Sequence, residues 1–509
     1  MSVSVKRDQP DAEDNAAKRE QTDGEGGATV EDPGAQRGSI GVDSWVAQSG
    51  ERRDEGAGWR RVLAAAEARL GWWPRLALVA IAGLIFAQLS TNVNIQTVAF
   101  NSLLYALLAM GLNIAVGWSG LLDLGYIASF GFGAYGYAIF SSTALGTDGS
   151  GGSHLPAIES ILIVVAAAGV VGAVLGLIAL RVSGDYFAIV TLFVGQAFFE
   201  VANNVDTGTF GGVNGLFGLD PLHSFGVTVT TPLGYYYVAL GMCVIVAAGL
   251  HLLDTSRTGR AWRALNDDEL AAQAMTLSVN KLKVMAYAFA TMIGALAGTL
   301  FAAQQDNVFP TNFTANILIL IYACLVLGGV GSIAGAILGG LVVTVAENML
   351  GSPTDAAYLF YGLIIIALIA KVRPWRRLGW VVAGVIGFGY AMHAIVGAIV
   401  PSATAGHPGS PGWIGSALKG YVIVPSNPQN FGNALYLALI VGLVAIVRLR
   451  GIKQLIAVII TIYVAACCWE GRLIVNPAIT TQIMLGVILI VTMAARPNGL
   501  LGTRRVEVV

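Results

Sequence analysis

The side chains of this chain with chemistry to offer are polar residues set inside long apolar runs. Asn101 and Asn113 fall in one run, and Asp123 and Tyr126 in the glycine-rich run that follows. Gln196 and Glu200, with Asn203 beyond them, recur at helical spacing along one face of another. A polar group inside a membrane span is costly and marks a functional position by default. Such groups could hydrogen-bond a small solute set against apolar neighbours. The plainer reading of each is an interhelical hydrogen bond, a cap for the helix after Asp123, or a span end at the headgroups for Glu200. Catalysis has less support. The sequence holds no His-Glu-x-x-His, no convincing nucleophile elbow and no Gly-Lys pair of a phosphate loop. Cys243, Cys324, Cys467 and Cys468 lie in apolar runs without metal-ligand spacing. No catalytic residue, metal or cofactor is therefore expected, and without a basic patch interleaved with aromatics no nucleic-acid partner either.

One polar element stands apart. Residues 254–283, DTSRTGRAWRALNDDELAAQAMTLSVNKLK, form a charged loop between apolar segments. Asn266 has the chemistry of an N-cap, Glu269 stands three residues on as in a capping box, and Leu265 and Leu270 have the spacing of a hydrophobic staple. Asp267 and Asp268 place negative charge at the positive end of the helix dipole. The pattern predicts a short helix outside the bilayer, running on through Met275, with Ala271, Ala272 and Ala274 small enough for another protein to approach closely. Glu269 could be no more than a cap, but a preformed helix between two spans invites a docking partner.

The elements that carry these residues are membrane spans. The 509-residue chain is 55% hydrophobic and 12% charged, outside the soluble globular range. Fourteen spans are predicted, near 76–90, 96–117, 120–141, 158–180, 184–203, 233–253, 283–303, 315–329, 332–349, 357–371, 378–400, 433–449, 452–469 and 480–495. With the amino terminus inside, seventeen of the nineteen Lys and Arg residues after residue 70 fall on the inner side, and Lys419 and Arg472 outside. Both termini are then cytoplasmic. Gly331, Gly335 and Gly339 follow the small-xxx-small spacing of packed helices, as do Gly172 and Gly176. The expected fold is all-α, a polytopic transmembrane helical bundle with a disordered N-terminal tail. Residues 1–57 are polar and read as that tail. Residues 58–75 read as an amphipathic helix on the membrane lipid, 76–371 as the core, and 372–509 as additional spans.

Several stretches carry a resemblance. GLLDLGYIASFGFGAY (120–135), RVSGDYFAIVTL (181–192), GGVNGLFGL (211–219), SRTGRAWRALNDDELAAQAM (256–275), VLGGVGSIAGAILG (326–339) and RPNGLLG (496–502) resemble, in order, the branched-chain amino-acid permease family of ABC importers, in particular the larger of its two paired permeases. The resemblance implies a transport subunit of the plasma membrane, moving solute by alternating access and not itself an enzyme. It implies a second homologous permease, two ABC ATPase subunits docked on the helix near 266–277, and an extracytoplasmic solute-binding protein. Urea or a short amide is an alternative substrate. An ion-coupled secondary transporter is an alternative class, though centrally placed carboxylates are scarce and the charged loop then lacks a purpose. The chain departs from the family pattern in three places. Thr276 stands where Gly usually follows Ala-Met, Phe210 where Thr often precedes Gly-Gly, and about four spans separate LFYGLIIIALIAKVRP (359–374) from RPNGLLG.

Overall fold

The structure is a computed structural model that describes residues 72–89, 92–142, 154–179, 182, 185–205, 210–224, 226–371, 375–425, 428–449, 451–473, 477–495 and 499–502. The tail expected over 1–57, and nearly all of the helix expected over 58–75, lie outside the described residues.

Each predicted span meets an apolar helix. These are α1 (Trp72–Leu89), α2 (Val93–Leu112), α3 (Tyr126–Phe140), α4 (Ala157–Ala179), α5 (Asp185–Asn204) and α6 (Pro232–Thr255). A polar loop holding α7 (Arg257–Asp267) and α8 (Glu269–Ala274) comes next. Then follow α9 (Val279–Gln305), α10 (Ala315–Gly328), α11 (Ile333–Gly351), α12 (Pro353–Lys371) and α13 (Trp375–Ile399), the short α14 (Gly412–Leu418), α15 (Pro428–Arg448), α16 (Ile452–Cys468) and α17 (Pro477–Ala495). Among the described residues nine helices are long and apolar enough to cross a membrane. The third expected span is cut short. It was to begin at residue 120, but residues 119–125 are not helical, because Gly120 takes a left-handed φ of +70° and Asp123 Oδ1 accepts the Gly125 amide at 2.9 Å. Within this stretch Ser119, Asp123 and Gly125 are buried, while Gly120 and Leu122 are exposed.

Helix α9 packs against α2, α3 and α4 at the centre of the bundle. Close approach rather than interlocked bulk holds them, as the absence of a hydrophobic drive in lipid requires. Gly172 of α4 lies on Thr291 of α9, and Gly176 on Val284. Gly335 and Gly339 bring α11 against the carbonyls of Gly328 and Cys324 on α10. Gly331, expected to extend that stripe, is not on the helix. It sits in the connection before α11 with φ +85°, because α10 ends at Gly328 and α11 starts only at Ile333.

The loops gather at two ends. At one, β1 (Leu216–Phe217) pairs antiparallel with β4 (Asn307–Val308), β2 (Leu222–Ser224) pairs with β3 (Val227–Val229), and the Asp220 amide donates to the Ser141 carbonyl at 2.8 Å. At the other lie residues 113–125, the α7–α8 loop, residues 329–332 and residues 499–502. Each set joins loops that strict alternation of fourteen spans puts on one side.

The C-terminal helices have cores of their own. Leu350, Ala356, Ala357, Ile414, Cys468, Trp469 and Met484 form one, with Phe360 stacked on Trp469 at 4.3 Å. Tyr421–Val424 pack with Tyr463, Ala466 and Cys467 in another. In the turn after α16 the buried Glu470 carboxylate accepts from the Tyr361 hydroxyl at 2.8 Å, the Ser410 hydroxyl at 2.5 Å and the Ser410 amide at 2.8 Å. Helix α17 then returns to α10 and α11. Beyond it the Leu500 and Leu501 amides donate to the carbonyls of Leu327 and Gly328, both at 2.9 Å, and Gly499, φ +73°, rests on Gly329.

Candidate functional site

Helix α2 widens at its end into a π-helical turn, Asn113–Trp118, closed by the Ser119 amide donating to the Ile114 carbonyl at 3.1 Å. Such turns shift side chains out of regular register and recur at functional sites. Here the shift aims two side chains at one residue. Asn113 Oδ1 accepts the Gly331 amide at 2.7 Å, and Trp118 Nε1 donates to the Gly331 carbonyl at 3.1 Å. Both backbone groups of Gly331, in the break between α10 and α11, are thus held by α2. A side chain at Gly117 would strike Asn113 and the Gly331 amide.

The polar loop closes over this turn. Ser256 caps α7 through the Gly259 amide at 3.3 Å. Trp262, fully buried, stacks on Trp118 at 6.2 Å and donates Nε1 to the Leu282 carbonyl at 2.9 Å. Asn266 Nδ2 donates to the Gly117 carbonyl at 2.9 Å. The expected capping of α8 is therefore displaced by two residues. Asn266 is committed to Gly117 as part of α7, and Asp268 is the N-cap, its Oδ1 accepting the amides of Leu270 at 2.8 Å and Ala271 at 3.0 Å. Glu269 closes no capping box; it pairs with Lys283 at 2.7 Å. Nor does a staple form, because Leu265 is buried while Leu270 is 76% exposed.

Helix α8 ends in a Schellman motif, with the Thr276 amide on the Gln273 carbonyl at 3.0 Å and the Leu277 amide on the Ala272 carbonyl at 3.2 Å. Thr276 accordingly has a φ of +64°, the conformation that glycine takes at low cost. Of the residues expected to dock a partner, Asp267, Asp268, Glu269, Ala271 and Met275 are exposed, whereas Asn266 is half-buried and Ala272 buried. Leu270, assigned in sequence to the staple, joins Met275 as the bare apolar surface of α8. Their 76% and 75% exposure make them the side chains a partner would cover.

The polar residues of the spans divide. Asn113, Asp123 and Tyr126 are fully buried. The Tyr322 hydroxyl donates to the Asp123 carbonyl at 2.6 Å, the Leu124 amide donates to Thr191 Oγ1 at 3.0 Å, and Tyr287 faces the Asp123 carboxylate. Asn113 Nδ2 and the Tyr126 hydroxyl are buried with no hydrogen-bond partner among the described residues. They leave unspent polar capacity between α2, α3 and α9. Asn101 is half-buried, further back along α2. Gln196 and Glu200 are not brought to this cluster. They are exposed on α5 and bond each other at 3.2 Å, with Asn204, rather than Asn203, completing the row at 3.0 Å. Tyr287 and Tyr322 were missed, since tyrosines in apolar helices carry no sign of what they face.

Residues 94–369 match the family described as branched-chain amino acid transport system / permease component. The chain is 32% identical over 305 residues to the high-affinity branched-chain amino acid transport system permease protein LivM of Salmonella typhimurium, covering 55% of this chain and 68% of that protein. It stands in the same relation to LivM of Escherichia coli K12. To the ribose import permease protein RbsC of Escherichia coli K12 it is 26% identical over 306 residues, 58% of this chain and 88% of that one. No solved structure matches. With a matched segment that spans more than half its length and contains α2 to α11, this multi-pass membrane protein belongs to the family of branched-chain amino acid transport system permease components.

Proposed function

We propose that the chain is one of two permease subunits of an ATP-driven ABC importer, and that it carries branched-chain amino acids. ATP hydrolysis takes place on two separate ATPase subunits, which dock on α8. A second, homologous permease completes the pore, and an extracytoplasmic solute-binding protein delivers substrate. The observation that carries this reading is α8 itself, a helix capped at both ends whose Leu270 and Met275 stand in solvent beside buried contacts to the spans. The Lys and Arg distribution supports a cytoplasmic side for α8 and both termini. Asn113, Asp123 and Tyr126 are the residues proposed to meet solute, since a zwitterion needs polar partners within an apolar wall. Identity to the LivM proteins favours an aliphatic amino acid over ribose or urea.

The test is affinity purification of the tagged chain from its native membrane, with mass spectrometry of what accompanies it. A second permease and phosphate-loop ATPases are expected, and the accompanying binding protein should hold leucine in preference to urea or ribose. Glu269→Lys, or the helix-breaking Ala272→Pro, should leave membrane insertion intact and abolish ATP-driven uptake. Normal uptake in both variants would remove the docking role of α8. Transport by the chain alone down an ion gradient would favour a secondary transporter.

A further inference from the structure

We propose that Asn266 is the positioning residue that carries movement of the α7–α8 loop into the spans, acting through the π-turn on the break between α10 and α11. The inference rests on the docking role of α8 and goes beyond it, because it states where the force leaves the loop. Besides the Trp262–Trp118 stack and the Glu269–Lys283 pair, two side chains of the loop hydrogen-bond to backbone carbonyls of the body. Trp262 is buried to 0% exposure and donates to Leu282, at the start of the helix that continues its own loop. That contact ties the loop to α9 locally. Asn266 instead donates across 149 residues of sequence to the Gly117 carbonyl. A π-turn leaves carbonyls without intrahelical donors, and the Asn266 amide supplies one to this turn from outside.

The other side of the same amide matters as well. A side chain at Gly120 would come within 2.6 Å of Asn266 Oδ1, so the left-handed Gly120 is the residue that lets the two segments meet. Asn266 thereby sits between the last residues of the π-turn and the non-helical stretch that leads to Asp123. From the turn the path continues without a gap. Asn113 and Trp118, at its two ends, hold the amide and the carbonyl of Gly331. The two outer links are directional hydrogen bonds, joined by the backbone of the π-turn itself, and through that turn a displaced Asn266 would change what Gly331 can bond. Coupling through a chain of contacts needs evidence of coupling, not adjacency alone, which decides the form of the test.

The assembled importer is reconstituted in lipid with its binding protein and leucine, and leucine moved per ATP hydrolysed is measured. Asn266→Asp keeps the size but turns the donor into a carboxylate facing the Gly117 carbonyl, and Asn266→Ala removes it. Both should retain the ATPase subunits in wild-type proportion and hydrolyse ATP, while the coupling ratio falls at least tenfold. Trp262→Phe, which keeps the aromatic stack, should lower thermal stability with less than a twofold change in the ratio. An unchanged ratio in assembled Asn266→Asp and Asn266→Ala complexes overturns the inference. It is equally overturned if both Asn266 variants fail to assemble while Trp262→Phe assembles, since Asn266 would then be fold support only. Recovery of the wild-type chain without any ATPase would instead defeat the docking reading, and this inference with it.

Discussion

Replacing Thr276 by glycine should tighten the end of α8. A side chain in the left-handed region costs about 1–2 kcal/mol, and a β-branched one is a genuine outlier there; Thr276 bears that cost at φ +64°. Glycine removes it but gives up more conformational freedom on folding, worth about 0.5–1 kcal/mol. The net gain lies between about zero and about 1.5 kcal/mol, and its mid-range of about 0.75 kcal/mol is roughly a threefold drop in local opening at about 1.4 kcal/mol per decade. The gain should fall on the two amides that close the motif, Thr276 on Gln273 and Leu277 on Ala272. Hydrogen exchange by mass spectrometry on peptides over 270–278, with the protein in lipid nanodiscs, reads that opening directly. Thr276→Gly should slow exchange about threefold by the same arithmetic, and Thr276→Ala, which keeps the Cβ, should not approach that. Unchanged or faster exchange in Thr276→Gly would refute the strained cap.

Two more expectations concern the C-terminal helices and the orientation of the bundle. Glu470→Ala orphans the Tyr361 hydroxyl and two donors of Ser410, at about 1–3 kcal/mol each, so it should lower the melting temperature in detergent well below that of Glu470→Gln, which keeps one oxygen in place; equal melting of the two would contradict it. Cys243, Cys324, Cys467 and Cys468 are all buried, so a cysteine introduced at Phe217 or Leu270, 60% and 76% exposed, becomes the reactive one. A membrane-impermeant maleimide should label Phe217→Cys in intact cells and Leu270→Cys only after permeabilisation, and the reverse pattern would invert the topology.

Hydropathy and periodicity reach the helices of this bundle because a span must satisfy its own backbone and show lipid an apolar surface. They fail where a single dihedral decides. The three leucines of residues 119–125 read on into the apolar run that follows, and the φ of Gly120 together with the Asp123–Gly125 hydrogen bond takes them out of helix. Asn266, Asp267 and Asp268 are three consecutive residues each able to cap. The choice falls to Asp268 because the Gly117 carbonyl, 149 residues away, claims Asn266. Periodicity put Gln196 and Glu200 on one face correctly, and they bond each other. It could not say that this face turns away from Asp123. The partnership of Asn113 with Gly331 spans 218 residues, beyond the reach of any local pattern.

The strap at Gly499–Leu501 bears on how the protein is made. Its partners, Leu327 and Gly328, are complete and in place long before it. From Gly329 to Gly499 the ribosome must add the intervening helices α11 to α17, a delay on the order of 10–30 s at a synthesis rate of about 5–20 residues per second. Throughout that interval the carbonyls at the end of α10 wait without the amides that will finally meet them. This contact of the bundle is therefore made late, after α11 to α17 have followed α10 out of the ribosome. A nascent chain stalled within α13–α16 should hold α2 to α11 in the bilayer while the carbonyls of Leu327 and Gly328 still lack these amide partners, in a state for quality-control proteases to find.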